Sequence, residues 1–196
     1  MNKKIFLFLI AFLVTTSLWS QDYDYQWTSS DSSGGPTYSW VDTNSSFTIV
    51  PINDDDDNSG ALPIGFTFNY YGTDYTNFKV CTNGWISFTS TRSDYNNQSL
   101  PSSNAPENIL APLWDDLHFR GTYKSYYYSD GSNLVVSFLG VDSYSSQSSD
   151  TLTFQVILQS SGRILYQYQN LTNLSYLTPT VGYQDSSRTE GAEIVY

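Results

Sequence analysis

Three short turn motifs constrain the fold of this 196-residue chain more than any other feature. Asn83-Gly84, Asp130-Gly131 and Ser161-Gly162 each lie between two segments rich in apolar and aromatic residues. Such dipeptides favour the left-handed backbone of tight hairpin turns. For Asn83-Gly84 we predict a two-residue turn with positive φ at both positions. Because hairpins join antiparallel neighbours, the motifs predict antiparallel sheet.

The segments between these turns have the alternation of half-buried strands. Phe66, Phe68 and Tyr70 fall on one face of a strand, and Leu152, Phe154, Val156 and Leu158 fall on one face of another. The chain contains 17 Tyr and 11 Phe, which favour strands over helices. We predict an all-β fold, an antiparallel, jelly-roll-like β-sandwich with about a dozen short strands. The predicted strands are residues 38–42, 47–52, 63–72, 75–82, 85–89, 109–114, 123–128, 134–139, 152–158, 163–168, 180–184 and 192–196.

The N-terminus has the three-part order of a secretory signal peptide. Lys3 and Lys4 precede an apolar run from Ile5 to Val14, and smaller residues follow from Thr15 to Ser20. The run is too short to span a bilayer, which takes ~20 apolar residues. We therefore predict a cleaved signal peptide at residues 1–20 and a secreted or cell-surface protein with no membrane insertion of the mature chain.

The remaining residues divide into two parts. The Ser-rich segment at residues 21–37 predicts a poorly ordered polar lead-in. Residues 38–196 suit a single β-sandwich domain. Because the last predicted strand runs to Tyr196, either the protein ends there or the chain is a fragment of a longer protein, and we favour a fragment.

Charge and cysteine content exclude several classes of function. Removal of Lys3 and Lys4 would change the net charge from −11 to −13. A protein with this negative charge repels the phosphate backbone, which argues against nucleic acid as a partner. Cys81 is the only cysteine, so an intrachain disulfide and a thiolate metal site are both excluded. We expect Cys81 to be buried.

Catalysis is poorly supported by the residues present. His118 is the only histidine, and no serine or cysteine lies in a recognisable nucleophile motif beside it. Asp115 and Asp116 are adjacent, so on an extended strand their side chains point to opposite faces and cannot flank one glycosidic bond. We predict no catalytic residue and no enzyme activity.

An acidic segment offers a partial calcium site. Asp55, Asp57 and Ser59, followed by Gly60, match the first half of a calcium-binding loop. The bidentate glutamate of its twelfth position is absent, because Phe66 stands there. Asp115 or Asp116 could supply that carboxylate if the fold brings them near. The alternative is a solvated acidic turn that blocks edge pairing between sheets.

Several strand motifs occur in a fixed order through most of the chain. They are PIGFTFNYYG (63–72), CTNGWISF (81–88), LAPLWDDL (110–117), LTFQVIL (152–158), GRILYQY (162–168) and TVGYQD (180–185). The set resembles a β-sandwich module of secreted bacterial proteins, and is more remotely similar to nidogen-type and plexin-domain-containing extracellular domains. The resemblance implies an extracellular interaction domain without catalytic residues. Cys81 departs from the pattern, because such modules have a small hydroxylated residue there.

We therefore expect a non-catalytic extracellular module for binding, adhesion or accessory function, with a protein or glycan partner. A secreted glycan hydrolase with a jelly-roll active site and a structural spacer of a larger surface protein remain alternatives. Consecutive tyrosines at residues 126–128 could stack on sugar rings, but cross-strand packing on a half-solvated face is the explanation that we favour. Trp85 and Trp114 lie in strand motifs and are expected in the core, whereas Trp27 and Trp40 are not assigned.

Overall fold

The computed structural model describes residues 25–145, 151–172 and 177–195. Within these ranges the chain forms twelve strands and no helix, which confirms the all-β prediction, and no described residue belongs to a helix able to cross a membrane. The predicted signal peptide and residues 21–24 lie outside the described ranges. The strands are β1 (Thr48–Ile49), β2 (Leu62–Tyr70), β3 (Thr73–Cys81), β4 (Trp85–Ser87), β5 (Ile109–Trp114), β6 (Leu117–His118), β7 (Ser125–Ser129), β8 (Asn133–Ser143), β9 (Leu152–Gln159), β10 (Ile164–Asn170), β11 (Thr180–Gln184) and β12 (Gly191–Val195).

The strands form two six-stranded antiparallel sheets, which confirms the predicted sandwich. Sheet one has the order β1-β7-β8-β9-β10, with β6 also paired to β8. Sheet two has the order β12-β11-β5-β4-β3-β2. Consecutive strands pair along most of each sheet, as expected for a chain punctuated by hairpin turns.

The core lies between the inner faces of the two sheets. The face predicted for β9 is fully buried, since Leu152, Phe154, Val156 and Leu158 are all 0% exposed. The ring of Phe154 stacks on that of Phe138 from β8, with centroids 4.6 Å apart. Each such buried side chain contributes roughly 1.5–3 kcal/mol to the hydrophobic stabilisation of the fold.

A second, smaller apolar cluster covers the opposite face of sheet two. Cys81, Trp85 and Trp114 are fully buried there, as the sequence predicts, beneath the long connection between β4 and β5. Both indole N–H groups donate to the backbone oxygen of Asp94, at 3.1 and 2.8 Å. Burial raises the pKa of the Cys81 thiol well above its usual value, which keeps the thiol protonated.

The predicted strand at residues 38–42 is not a strand. This segment runs across the outer face of sheet one, where buried glutamine side chains bind its backbone. Gln167 accepts from the Ser39 N–H at 2.8 Å and donates to the Ser39 carbonyl at 2.9 Å. Gln155 makes the same pair of contacts with Val41, at 3.4 and 2.6 Å. The side-chain amides of the two glutamines take the place of a neighbouring strand as hydrogen-bond partners of this backbone. The segment is therefore extended without being part of a sheet.

The first described residue, Tyr25, packs on sheet two, although it falls in the segment predicted to be poorly ordered. Its ring lies 5.3 Å from those of Tyr70 and Tyr71 and 6.0 Å from that of Tyr183. Its hydroxyl donates to the Asn69 carbonyl at 3.1 Å, and its own carbonyl accepts from the Tyr183 hydroxyl at 2.6 Å. Residues 25–41 therefore form a strap, called the N-terminal strap below, that connects sheet two to the outer face of sheet one.

The turn between β3 and β4 differs from the predicted two-residue hairpin. Three residues, Thr82 to Gly84, separate the paired ends Cys81 and Trp85. Gly84 has a φ of 77°, whereas Asn83 is not among the residues with positive φ. A three-residue loop that ends in a left-handed glycine places only one residue in the left-handed region. Asn83 is instead fully buried and uses its side chain to hold other loops.

We expect Gly84→Ala to destabilise the protein far more than Gly131→Ala. Both glycines have positive φ, which costs alanine ~1–2 kcal/mol. A Cβ at Gly131 would meet nothing within 4 Å, whereas one at Gly84 would lie 2.0 Å from the Leu113 carbonyl oxygen. Urea unfolding of both variants measures the difference. Equal losses of unfolding free energy would contradict the close packing of this turn.

Candidate functional site

The acidic loop, residues 53–60, is fixed between two strands. Asp55 forms an isolated antiparallel bridge with His118 of β6, and Asn58 forms another with Cys81 of β3. These bridges bring the loop beside the β5–β6 corner, which carries the second group of acidic residues. The sequence separates these groups by about sixty residues, so only the fold places them together.

Three carboxylates converge at this position and form what we call the acidic cluster. Asp55, Asp56 and Asp116 each present an oxygen within 4.8 Å of the others. Asp56 has a φ of 46°, in the left-handed region that aspartate tolerates better than most residues. Asn83 Nδ2 donates to Asp56 Oδ1 at 2.7 Å and holds that carboxylate toward the protein.

The proximity of these carboxylates changes their protonation. Burial, followed by the charges of Asp55, Asp56 and Asp115, raises the pKa of Asp116 to about 6. Burial and the charge of Asp56 also raise the pKa of Asp55. The ionised cluster is therefore electrostatically unfavourable by itself, and a cation between the carboxylates would relieve the repulsion.

The five residues predicted as calcium ligands divide between the cluster and its surroundings. The structure places Asp55 and Asp116 in the cluster. Asp57 accepts from the Asn58 N–H at 2.9 Å, Ser59 accepts from the Val80 N–H at 2.9 Å, and Asp115 accepts from the Thr178 N–H at 2.7 Å. These contacts fix loops and leave Asp57, Ser59 and Asp115 outside the cluster.

Sequence reasoning missed Asp56, because the alternating loop template selects Asp55 and Asp57 and skips the residue between them. The left-handed backbone at Asp56 breaks this alternation and turns its side chain toward Asp116. The run of four aspartates indicated that a cation ligand could lie in this loop, but the sequence does not show which of the four side chains point toward Asp116.

The donor set suits a hard divalent cation. Calcium takes carboxylate oxygens at 2.3–2.6 Å, so two ligands of one ion lie up to about 5 Å apart. The 4.8 Å limit within the cluster is compatible with that spacing. Asp55 Oδ1 is buried and accepts no hydrogen bond from the described residues, which leaves it available to a cation.

His118 lies at the rim of the acidic cluster. Its Nε2 is 3.8 Å from Asp54 Oδ1, and its ring lies 5.6 Å from that of Tyr144. The side chain is 20% exposed. The charge of His118 lowers the pKa of Asp116, in opposition to the neighbouring carboxylates.

A groove of about 440 Å³ lies along one open side of the sandwich, away from the acidic cluster. The N-terminal strap forms one wall, and β10 of sheet one together with β11 and β12 of sheet two forms the other. The lining residues are Tyr25 to Ser30, Pro36 to Tyr38, Arg163 to Tyr168, Val181, Tyr183 and Ile194.

Two aromatic side chains of the strap are exposed at this groove. Trp27 and Tyr38 are each 53% exposed, and the ring of Tyr38 stacks on that of Trp40 at 6.5 Å. The tyrosines at residues 126–128, considered for sugar stacking, are instead only partly exposed. Tyr127 packs against Phe78 in the core. Trp27 thus lies in the segment predicted to be a poorly ordered lead-in, and Tyr38 lies in the segment predicted to be a strand.

Arg163 is the only charged residue that lines the groove among the described residues. The other five Lys and Arg residues of the described ranges bind a backbone oxygen or a carboxylate, namely Lys79, Arg92, Arg120, Lys124 and Arg188. Arg163 is exposed, and its guanidinium has no hydrogen bond or ion pair with the described residues. Within the part of the chain that the structure describes, its charge is therefore not neutralised by a carboxylate.

A protein-family model described as NIDO related matches residues 24–194, which reaches from the start of the N-terminal strap into β12. Comparison with curated proteins gave no match, and comparison with solved structures gave none either. The family match confirms the remote similarity to nidogen-type domains inferred from the strand motifs.

We expect Asp116→Asn to be more stable than the wild type at pH 7 and equally stable below about pH 4. Because the folded-state pKa is raised to about 6, the folded protein binds this proton more tightly than the unfolded chain. The free energy of unfolding of the wild type therefore falls as the pH rises from ~4 through 6, because Asp116 loses its proton. Asparagine does not ionise, so the variant keeps this part of the stability. Urea unfolding across pH measures it, with the exposed Asp31→Asn as control. If the unfolding free energies of Asp116→Asn and wild type differ by the same amount at every pH, the raised pKa of Asp116 is wrong.

Proposed function

Because the chain belongs to the NIDO-related family, we propose that it is a non-catalytic extracellular module that binds a protein or glycan partner. The observation that carries the proposal is the groove, where Trp27 and Tyr38 expose about half of their surface. Ligand sites are concave and largely apolar, with a few polar groups that set orientation. The predicted signal peptide at residues 1–20 accounts for export.

The composition of the groove favours binding over hydrolysis. Glycoside hydrolases commonly place two carboxyl groups on either side of the bond that is cleaved. Among the described residues, the lining contains no Asp, Glu, His or Cys. The acidic cluster has carboxylates, but none of them lines the groove. This separation supports a binding module over a glycan hydrolase.

The exposed aromatic residues also favour a binding role over that of a structural spacer. Large apolar side chains grouped on a surface lose hydrophobic stabilisation unless a partner covers them. A structural spacer does not require two such residues beside Arg163, which has no ionic partner among the described residues. A partner bound in the groove would bury both rings and explain their position.

We also propose that the acidic cluster binds calcium as a structural ion of this module. Support comes from the convergence of Asp55, Asp56 and Asp116 and from the buried, unbonded Asp55 Oδ1. The ion would fix the acidic loop to the β5–β6 corner. Because the bidentate glutamate is absent, we expect a weak Kd for calcium of ~10⁻⁴–10⁻³ M, which is typical of extracellular modules.

Calcium should raise the Tm of the wild type, because an ion that binds only the folded state stabilises it by RT ln(1 + [L]/Kd). At ten times the Kd this amounts to roughly 1.4 kcal/mol. The Asp55→Asn, Asp116→Asn double variant should lose the response. Melting curves with calcium, with magnesium and with chelator measure it.

The matched control is the Asp57→Asn, Asp115→Asn double variant. It removes two acidic charges from the same loops, yet from residues outside the cluster, so it should keep the calcium response. If both double variants respond like the wild type, the acidic loop is only a solvated turn. If the control alone loses the response, the ligands are those of the sequence template.

Partner binding should depend on the exposed aromatic residues of the groove. We expect the mature protein to bind at least one component of an array of purified glycans and extracellular-matrix proteins. The Trp27→Ala, Tyr38→Ala double variant should lose this binding, and Tyr123→Ala, Tyr144→Ala should keep it. Tyr123 and Tyr144 are equally exposed but do not line the groove. Equal binding by the groove variant and the wild type would contradict the proposal.

A further inference from the structure

We propose that the groove binds an acidic saccharide, with a sugar ring stacked on Trp27 or Tyr38 and its carboxylate paired with Arg163. This inference rests on the proposed function and names the ligand class of the same groove. Three features of the described residues support it: the exposed aromatic faces, the single unpaired cation and the size of the groove.

The aromatic faces suit a sugar ring. The face of an aromatic ring carries negative charge, and the C–H bonds on one side of a pyranose present positive hydrogens to it. The ring of Tyr38 is backed by Trp40 at an interplanar angle of 22°, so the face is oriented before a ligand arrives. Such preorganisation lowers the entropic cost of binding.

The charge of the groove suits one carboxylate. The mature protein would carry a net charge of −13, yet the only charged residue among the described groove residues is the cation Arg163. A guanidinium binds a carboxylate through two parallel hydrogen bonds, which fixes orientation as well as charge. Because the rest of the protein is acidic, a ligand with many negative charges would be repelled.

The size of the groove suits a short saccharide. About 440 Å³ lies at the lower end of the roughly 300–1,000 Å³ found for small-ligand clefts. The strap supplies four hydroxyl side chains to the lining, from Thr28, Ser29, Ser30 and Thr37. Sugar hydroxyls can exchange hydrogen bonds with these groups, whereas an extended acidic peptide would rely chiefly on backbone pairing with a strand edge.

The test is titration calorimetry of the mature protein with a disaccharide that contains one glucuronic acid and with its methyl ester. The ester keeps the ring and removes the charge. We expect the acid to bind about tenfold more tightly than the ester, as a charge-assisted contact predicts. Arg163→Gln should abolish this preference, and Trp27→Ala should weaken binding of both forms by about tenfold. Arg188→Gln and Tyr123→Ala, which lie outside the groove, should bind like the wild type.

Other outcomes would overturn the inference. If the wild type binds the acid and the ester with equal affinity, Arg163 does not pair with the carboxylate of the ligand. If neither saccharide binds, the ligand of the groove is not an acidic saccharide. Tighter binding by a pentapeptide with a single glutamate, lost in Trp27→Ala, would leave the groove a binding site but assign it to a peptide. The proposed function itself fails only if no component of the array depends on Trp27 and Tyr38.

Discussion

The side chain of Asn83 holds together the three loops at one end of the sandwich. Its amide donates to Asp56 Oδ1 at 2.7 Å and to the Ser93 carbonyl at 3.1 Å, while its oxygen accepts from the Leu117 N–H at 2.9 Å. Asn83 is fully buried, so each of these bonds replaces one to water, and loss of the amide would leave buried groups unpaired. Gly84 makes this position possible, because no larger residue fits against the Leu113 carbonyl.

The acidic cluster depends on this arrangement. Asp56 belongs to the acidic loop and Asp116 to the β5–β6 corner, and Asn83 contacts both segments. Burial, together with repulsion among the carboxylates, raises the pKa of Asp116 to about 6. Because the frame holds the two segments together, the carboxylates cannot relieve their repulsion by moving the loops apart. A frame that keeps like charges together is the physical basis for a cation site.

The sequence predicted the fold well because hairpin turns and alternation are local signals. The strands at residues 109–114 and 180–184 have the predicted bounds, the strand predicted at 152–158 extends one residue further, and Trp85, Trp114 and Cys81 are buried as expected. The candidate sites were predicted less well, because they depend on contacts between distant residues. Asp116 joins Asp55 where β6 pairs with the acidic loop. One wall of the groove depends on Gln155 and Gln167, which bind a strap more than a hundred residues earlier in the chain.

The N-terminal strap also has a consequence for the order of folding. Its contacts join residues 25–41 to β9, β10 and β11, with sequence separations of 114 to 158 residues. Closing loops of this length costs entropy before any contact is gained, which makes such contacts late events in folding. During synthesis, which proceeds from the N-terminus, the strap is made before the last strands and has no surface to dock on until they follow. The groove is therefore completed at the end of folding, after the sandwich that supports it.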